Sequence, residues 1–214
     1  MPSVSEQPFR REHFERQDER DDTLFYSVAR LETHIDDHAI AAVGKLYAEL
    51  LPPDAEVLDF MSSWKSHMPE GLRLNRLTGL GLNEVELREN DQLDGWVVHD
   101  VNETVELPFA EGSFDAAVMC VSVQYLVHPV ETFREVRRVL RPGGPFIVTY
   151  SNRPFPEKAV AIWWACSMED RARLVGGYFH YAGGWEGLTA QDRSERREAG
   201  ADPLFAVWAR KAAD

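Results

Sequence analysis

The chain has 214 residues, 44% of them hydrophobic and 28% charged, a globular composition that excludes a disordered or collagen-like chain and suits one domain with extensions. Its 23 Lys and Arg stand against 36 Asp and Glu, and the resulting charge of −13 repels nucleic acid and anionic lipid. The longest apolar run, 159–166, is far shorter than the roughly 20 residues of a membrane span. The start of the chain lacks the apolar core of an export signal. Cys120 and Cys166 make neither a disulfide framework nor a zinc quartet, so a reducing, cytoplasmic setting is expected.

Residues 1–22 mix both charge signs around Phe9 and Phe14, which predicts a solvated arm or a loose amphipathic helix. Leu24, Val28, Leu31 and Ile35 recur at helical spacing, and the pattern continues over 39–51 until Pro52-Pro53 stops it, so two helices are predicted within 23–51. Short buried strands are predicted at 56–60, 73–82, 96–101, 114–121 and 146–150, and their Val, Ile and Ala content suits parallel strands covered on both faces. The segment 129–140 reads as a helix terminated by Arg141-Pro142-Gly143-Gly144. One amphipathic helix is predicted over 157–175, stopped by Gly176-Gly177, and the aromatic runs 178–181 and 203–210 are expected to pair as an antiparallel edge. Alternation of strand and helix implies an α/β doubly wound sheet with its core at 54–153, a helical cap at 23–51 and C-terminal elements at 154–214.

In such a sheet ligands sit beyond the carboxyl ends of the strands, so the residues just after each strand are the ones to read. VLDF at 57–60, TGLGLNEVEL at 78–87, HDVNETVELPFAEGSFDAAVMC at 99–120 and FREVRRVLRPGGPFIVTYSNR at 133–153 follow one another in an order that resembles the class I methyltransferases that use S-adenosylmethionine, specifically the family with a UbiE-like, type 11 domain. The resemblance spans nearly half the chain. It implies a mostly parallel seven-strand sheet flanked by helices, an antiparallel pair at its edge, an N-terminal cap over the cleft, and S-adenosylmethionine as cofactor.

By the same resemblance Asp59, Met61, Ser62 and Ser63 line the cofactor after the first strand, Asp100 accepts from the adenine amino group with Val101 offering its backbone N–H, and Val121 lines the cleft after the fourth strand. The sequence departs from the family at two places. Positions that the family fills with glycine are Met61, Ser63 and Lys65, and the second-strand acid that binds the ribose hydroxyls aligns with Gly81. Asn83 is the expected substitute acceptor, with Glu84 second, and Ser62 and Ser63 are expected to donate hydroxyls to the methionine carboxylate. Tyr26, Arg30 and His34, on one predicted helical face, and Tyr125 are candidates for contact with the acceptor. His34 and His38 stand four apart without a third ligand, so no metal site is assigned, and no general base is identified. The implied function is methyl transfer from S-adenosylmethionine to a small molecule, with no nucleic-acid partner, no membrane span and no signal for an oligomeric state. Both departures fall in one ligand site and favour, as the alternative, a methyltransferase fold kept as a non-catalytic binding or regulatory module. Nicotinamide binding lacks its glycine fingerprint and is set aside.

Overall fold

The computed structural model describes residues 7–194 and 200–213. Its centre is a sheet of β1 (Ala55–Phe60), β2 (Leu74–Gly81), β3 (Gly95–Val98), β4 (Ala116–Cys120), β5 (Pro145–Tyr150), β6 (Trp185–Asp192) and β7 (Phe205–Lys211), in the order β3-β2-β1-β4-β5-β7-β6. β1 to β5 pair in parallel, and β7 runs antiparallel to both β5 and β6. Successive side chains of a strand face opposite ways. Ala117 and Met119 therefore join the apolar cluster of Phe133, Val136 and Phe179, whereas Ala116 and Val118 meet Val43, Leu46 and Tyr47 on the other face. Burial on both faces is why these strands read as continuous apolar runs rather than alternating ones.

The covering helices have local causes. α2 (Asp37–Leu50) begins where the Asp36 side chain accepts from Ala39 N, and the proline pair beyond Leu51 cannot continue it. α4 (Pro129–Val139) starts on a proline and buries Val130, Phe133, Val136 and Val139 at helical spacing. The doubly wound sheet with its antiparallel edge thus follows the expected class.

Four local expectations change. The first cap helix shrinks to one turn, α1 (Asp22–Phe25), and Leu24, Val28 and Leu31 are 66%, 70% and 49% exposed while Ile35 is buried. Residues 26–35 are instead held beyond the carboxyl ends of β1 and β2 by long-range bonds: Arg30 N donates to Glu86 Oε1 at 2.7 Å, Asn83 Nδ2 to Tyr26 O at 2.7 Å, and Trp64 Nε1 to Glu32 O at 2.7 Å. A single helical turn has too few hydrogen bonds to compete with them.

The expected solvated arm is a docked strap over residues 7–22. Phe9 and Phe14 pack on Tyr178 with ring centroids 5.3 and 6.3 Å away, and Ala161 N donates to Glu15 O at 2.8 Å. The helix expected at 157–175 is split into α5 (Ala161–Ala165) and α6 (Met168–Ala182), because the Ser167 side chain caps a new helix by accepting from Asp170 N. α6 then runs through Gly176-Gly177 to Gly183, whose φ of 68° ends it. Gly177 stays helical and leaves room for the Phe9 ring, which a Cβ there would approach to 3.3 Å. The edge pairing expected of 178–181 therefore falls to β6, and Tyr178 and Phe179 are buried helix residues.

Candidate active site

The strand order turns between β1 and β4, so the loops beyond their carboxyl ends diverge and leave a cleft. It encloses about 1220 Å³ with its open mouth included. Asp59, Met61, Ser62, Ser63, Asn83, Asp100, Val101 and Val121 all line it, as do Tyr26, Arg30, His34 and Tyr125. Tyr26, Arg30 and His34 do so without sharing a helical face, because the helix ends at Phe25. His38 lies inside α2 and His34 in the extended segment before it, so those two share no helical face either.

On the β1–β2 side the loop is held by its own hydrogen bonds. Met61 takes the left-handed region at φ 56°, which glycine would adopt without strain. Ser62 N donates to Leu80 O at 2.7 Å, and the Ser62 and Ser66 hydroxyls both donate to Asp59 Oδ2, at 2.5 and 2.6 Å. Asn90 Nδ2 donates to Ser63 O and Ser66 Oγ, each at 2.9 Å, and Ser63 Oγ donates to Glu86 Oε2 at 2.7 Å. The two hydroxyls expected to face a ligand are thus engaged by acids. Burial pushes the Asp59 carboxyl up to about 6, partly offset by the two serine hydroxyls.

Gly81 has a steric cause. A Cβ there would overlap the Ser62 carbonyl oxygen, so the loop occupies the space that a second-strand acid would need. Asn83 does not fill the gap as expected. Its Oδ1 accepts from Val85 N and Glu86 N at 3.0 and 3.1 Å as the cap of α3 (Glu84–Arg88), and its Nδ2 holds Tyr26 O. The acid in this wall is Glu86, only 6% exposed, which accepts from Ser63 Oγ in the loop after β1 and from Arg30 N in the roof. Its signal in the sequence was the Asn-x-x-Glu spacing of a helix start, which marks a cap but not the direction of the acid.

On the β3–β4 side Asp100 Oδ1 accepts from Asn102 N at 2.8 Å and Glu103 N at 3.3 Å, folding a turn that lines the cleft. Asn102 ties that turn to both flanks: its Nδ2 donates to Asp22 Oδ2 and Tyr125 O, each at 2.9 Å, and its Oδ1 accepts from Val127 N at 3.0 Å. Asp22, 4% exposed, also takes Arg16 Nη1 at 2.7 Å and Lys158 Nζ at 2.9 Å. Val121 has φ 44°, a genuine outlier for a β-branched residue. Strained backbone therefore stands on both sides of the cleft, at Met61 and Val121, the kind of clustering that goes with ligand sites. Ser122 beside it lines the cleft, with its hydroxyl buried and without a protein partner.

The roof side is aromatic. Phe155 stacks on Tyr125 at 5.9 Å and meets His34 edge-on at 5.1 Å and Phe25 at 5.6 Å. Phe155 carries no motif and could be found only by its position after β5. Burial lowers the pKa of His34 and brings His67 down to about 4, so both imidazoles are neutral near pH 7. Burial pushes the Tyr125 hydroxyl and the Cys120 thiol up to about 12, which keeps the phenol protonated and the thiol inert. No trio of metal-ligating side chains occurs among the described residues, and no helix there is long and apolar enough to cross a membrane.

Residues 65–148 match the model of a methyltransferase domain, beginning only after the altered serine positions. The ubiquinone/menaquinone biosynthesis C-methyltransferase UbiE of Roseobacter denitrificans is 40% identical over 67 residues, which is 31% of this chain and 25% of that protein. The chain therefore matches about a quarter of that relative's length. Among solved structures, geranyl diphosphate C-methyltransferase from Streptomyces coelicolor, in complex with Mg2+, geranyl diphosphate and S-adenosyl-L-homocysteine, superposes with a TM-score of 0.54 at 15% identity, over 80% of this chain and 77% of that one. The [4+2]-cyclase SpnF gives 0.62 at 16%, over 87% and 89%. At such identities these likenesses establish the fold alone.

Proposed function

We propose that the protein, whose residues 65–148 match the model of a methyltransferase domain, is a class I methyltransferase that transfers a methyl group from S-adenosylmethionine to a small-molecule acceptor. The observation that carries the reading is one cleft at the strand ends, lined jointly by the adenine-side turn at Asp100, the buried acid Glu86 and an aromatic roof. The lining fits the cofactor: Glu86 supplies a buried carboxylate where Gly81 cannot, beside the aromatic roof.

Asp100 and Val101 hold the adenine, Glu86 takes over the ribose hydroxyls, and the loop of Met61, Ser62 and Ser63 bounds the methionine end, with Asp59 beneath it and Val121 opposite. Bound there, S-adenosylmethionine supplies an electrophilic methyl group. The protein's part is to align an acceptor and exclude water, which needs no covalent catalyst. Tyr26, Arg30, His34 and Tyr125 contact the acceptor, and the neutral imidazole of His34 can take a proton from it. A soluble metabolite is favoured over nucleic acid by the charge of −13, and two free cysteines suit the cytoplasm.

Calorimetric titration with S-adenosylmethionine and with S-adenosylhomocysteine, on the protein and on Asp100→Ala, tests the reading. Saturable binding that the variant weakens by one to two decades is expected, about 1.5–3 kcal/mol for a charged hydrogen bond. Absence of binding by either compound at millimolar concentration overturns methyl transfer and leaves a non-catalytic module.

A further inference from the structure

Resting on that reading of the cleft, we infer that the acceptor carries a carboxylate on a flat apolar body, and that Arg30 is the group that receives it. Three cationic side chains of Lys or Arg line the cleft. Lys65 is matched by Asp91 at 2.7 Å, and Arg153 by Asp202 at 2.6 Å. Arg30 makes no ion pair among the described residues. Its guanidinium reaches only two backbone carbonyls, Phe25 O at 3.2 Å and Val28 O at 3.4 Å, both long bonds that leave most of its five donors free.

Among the described residues, none of the acids nearby forms an ion pair with the guanidinium. Glu86 accepts from Arg30's backbone N and from Ser63, and Asp22 is taken up by Arg16, Lys158 and Asn102. Glu32 lines the cleft as well but makes no ion pair with Arg30. What holds the guanidinium is aromatic: its Cζ lies 4.7 Å from the Phe25 ring centroid, 5.1 Å from Phe155 and 5.8 Å from Tyr26. Stacking fixes the plane of the fork without neutralising it, which is the arrangement that receives a carboxylate with two parallel N–H bonds. The adjoining wall, where Phe155 stacks on Tyr125, gives a ring-bearing ligand an apolar face beside that fork.

The tie through Glu86 adds a positional consequence. One carboxylate fastens Arg30's backbone and the Ser63 hydroxyl, so the anion fork and the loop at the methionine end are set relative to each other by a single side chain.

The test uses benzoate and its neutral counterpart benzamide, titrated into the full chain with and without saturating S-adenosylhomocysteine, and into Arg30→Gln. Benzoate is expected to bind at least about tenfold tighter than benzamide, and Arg30→Gln to abolish that preference, the effect of one charge-assisted fork. Equal affinity for the two compounds, no saturable benzoate binding, or an unchanged preference in Arg30→Gln overturns the inference. The comparison of the two probes in the unaltered protein needs no variant, so a misfolded Arg30→Gln cannot obscure it. The S-adenosylhomocysteine titration separates the two readings: failure there removes methyl transfer, whereas failure of benzoate alone removes only the acceptor class.

Discussion

Two buried aspartates, one on each side of the cleft, are handled in opposite ways. Asp59 is 3% exposed and Asp22 is 4% exposed, yet Asp59 is met by the hydroxyls of Ser62 and Ser66 and Asp22 by Arg16, Lys158 and Asn102. Burial pushes both carboxyls up. Around Asp59 two neutral donors leave the value at about 6, while around Asp22 the bonds from Asn102, Arg16 and Lys158 outweigh burial and bring the value below the ordinary one. A carboxylate that anchors a docked segment by charge is a stability element, and one that anchors a loop through hydroxyls is a titratable element. The strap of residues 7–22 thus depends on ion pairing, and the loop after β1 on hydrogen bonds.

The sharpest way to break this contrast is Asp22→Ala. It leaves Lys158, wholly buried, with only the more distant Asp18 carboxylate at 3.7 Å and Arg16, 8% exposed, with only that of Glu19 at 3.8 Å, and an expected loss of about 3 kcal/mol, the low end for a broken buried pair, follows. Urea unfolding measures it, and faster tryptic cleavage at Arg11, Arg16 and Arg20 should accompany it. Survival of both stability and strap protection would show that Phe9 and Phe14 alone dock the strap.

Asp59→Asn probes the other anchor. Asp59 holds its proton more tightly when folded, about 6 against 3.8 unfolded, so its stabilising contribution is complete below pH 3.8 and lost as the pH rises through 6. The loss amounts to about 3 kcal/mol at most. Asparagine titrates in neither state, so the stability of the variant relative to the unaltered protein should rise by that amount across this window, read from urea midpoints at successive pH values. A pH-independent difference would mean that Asp59 titrates alike in the folded and unfolded states.

Gly81→Asp returns an acid to the end of β2. Because its Cβ would overlap the Ser62 carbonyl, we expect a cost of about 1–3 kcal/mol and no tighter binding of S-adenosylhomocysteine, measured by denaturation and calorimetry on the same sample. Tighter binding would place the ribose contact at position 81 rather than at Glu86. The smallest effect is expected of Met61→Gly, which removes a side chain from left-handed backbone and should stabilise the protein by about 1 kcal/mol at most, seen as a small rise in Tm. A clear destabilisation would show that the thioether's packing outweighs the strain.

Local periodicity and composition were enough for the sheet. The apolar runs that became β1, β4 and β5 and the proline-started helix α4 depend on contacts within a few residues or on burial of a whole segment, and both leave marks in sequence, whereas α4 ends on the extended Leu140 rather than on the glycines beyond it. The candidate cleft was legible too, because a doubly wound sheet confines ligands to the strand ends, and Asp59, Asp100 and Val121 sit there by chain order alone. Other features lie outside local rules. The cap residues Leu24, Val28 and Leu31 have helical spacing but no apolar surface to cover, and bonds from Glu86, Asn83 and Trp64 hold their segment open. The charge mixture of residues 7–22 looks solvated until Lys158, more than a hundred residues later, is buried against it. Hydrogen-bond direction also needs three dimensions: Asn83 could have faced a ligand or a helix end, and the backbone N–H groups of α3 claimed it. The sequence by itself determined the α/β class, the buried strands and the place of the cleft, since these follow from periodicity and chain order. Only the tertiary structure decided which acids serve the walls, which fold the strap, and why residue 81 is glycine, because each depends on atoms brought together from distant parts of the chain.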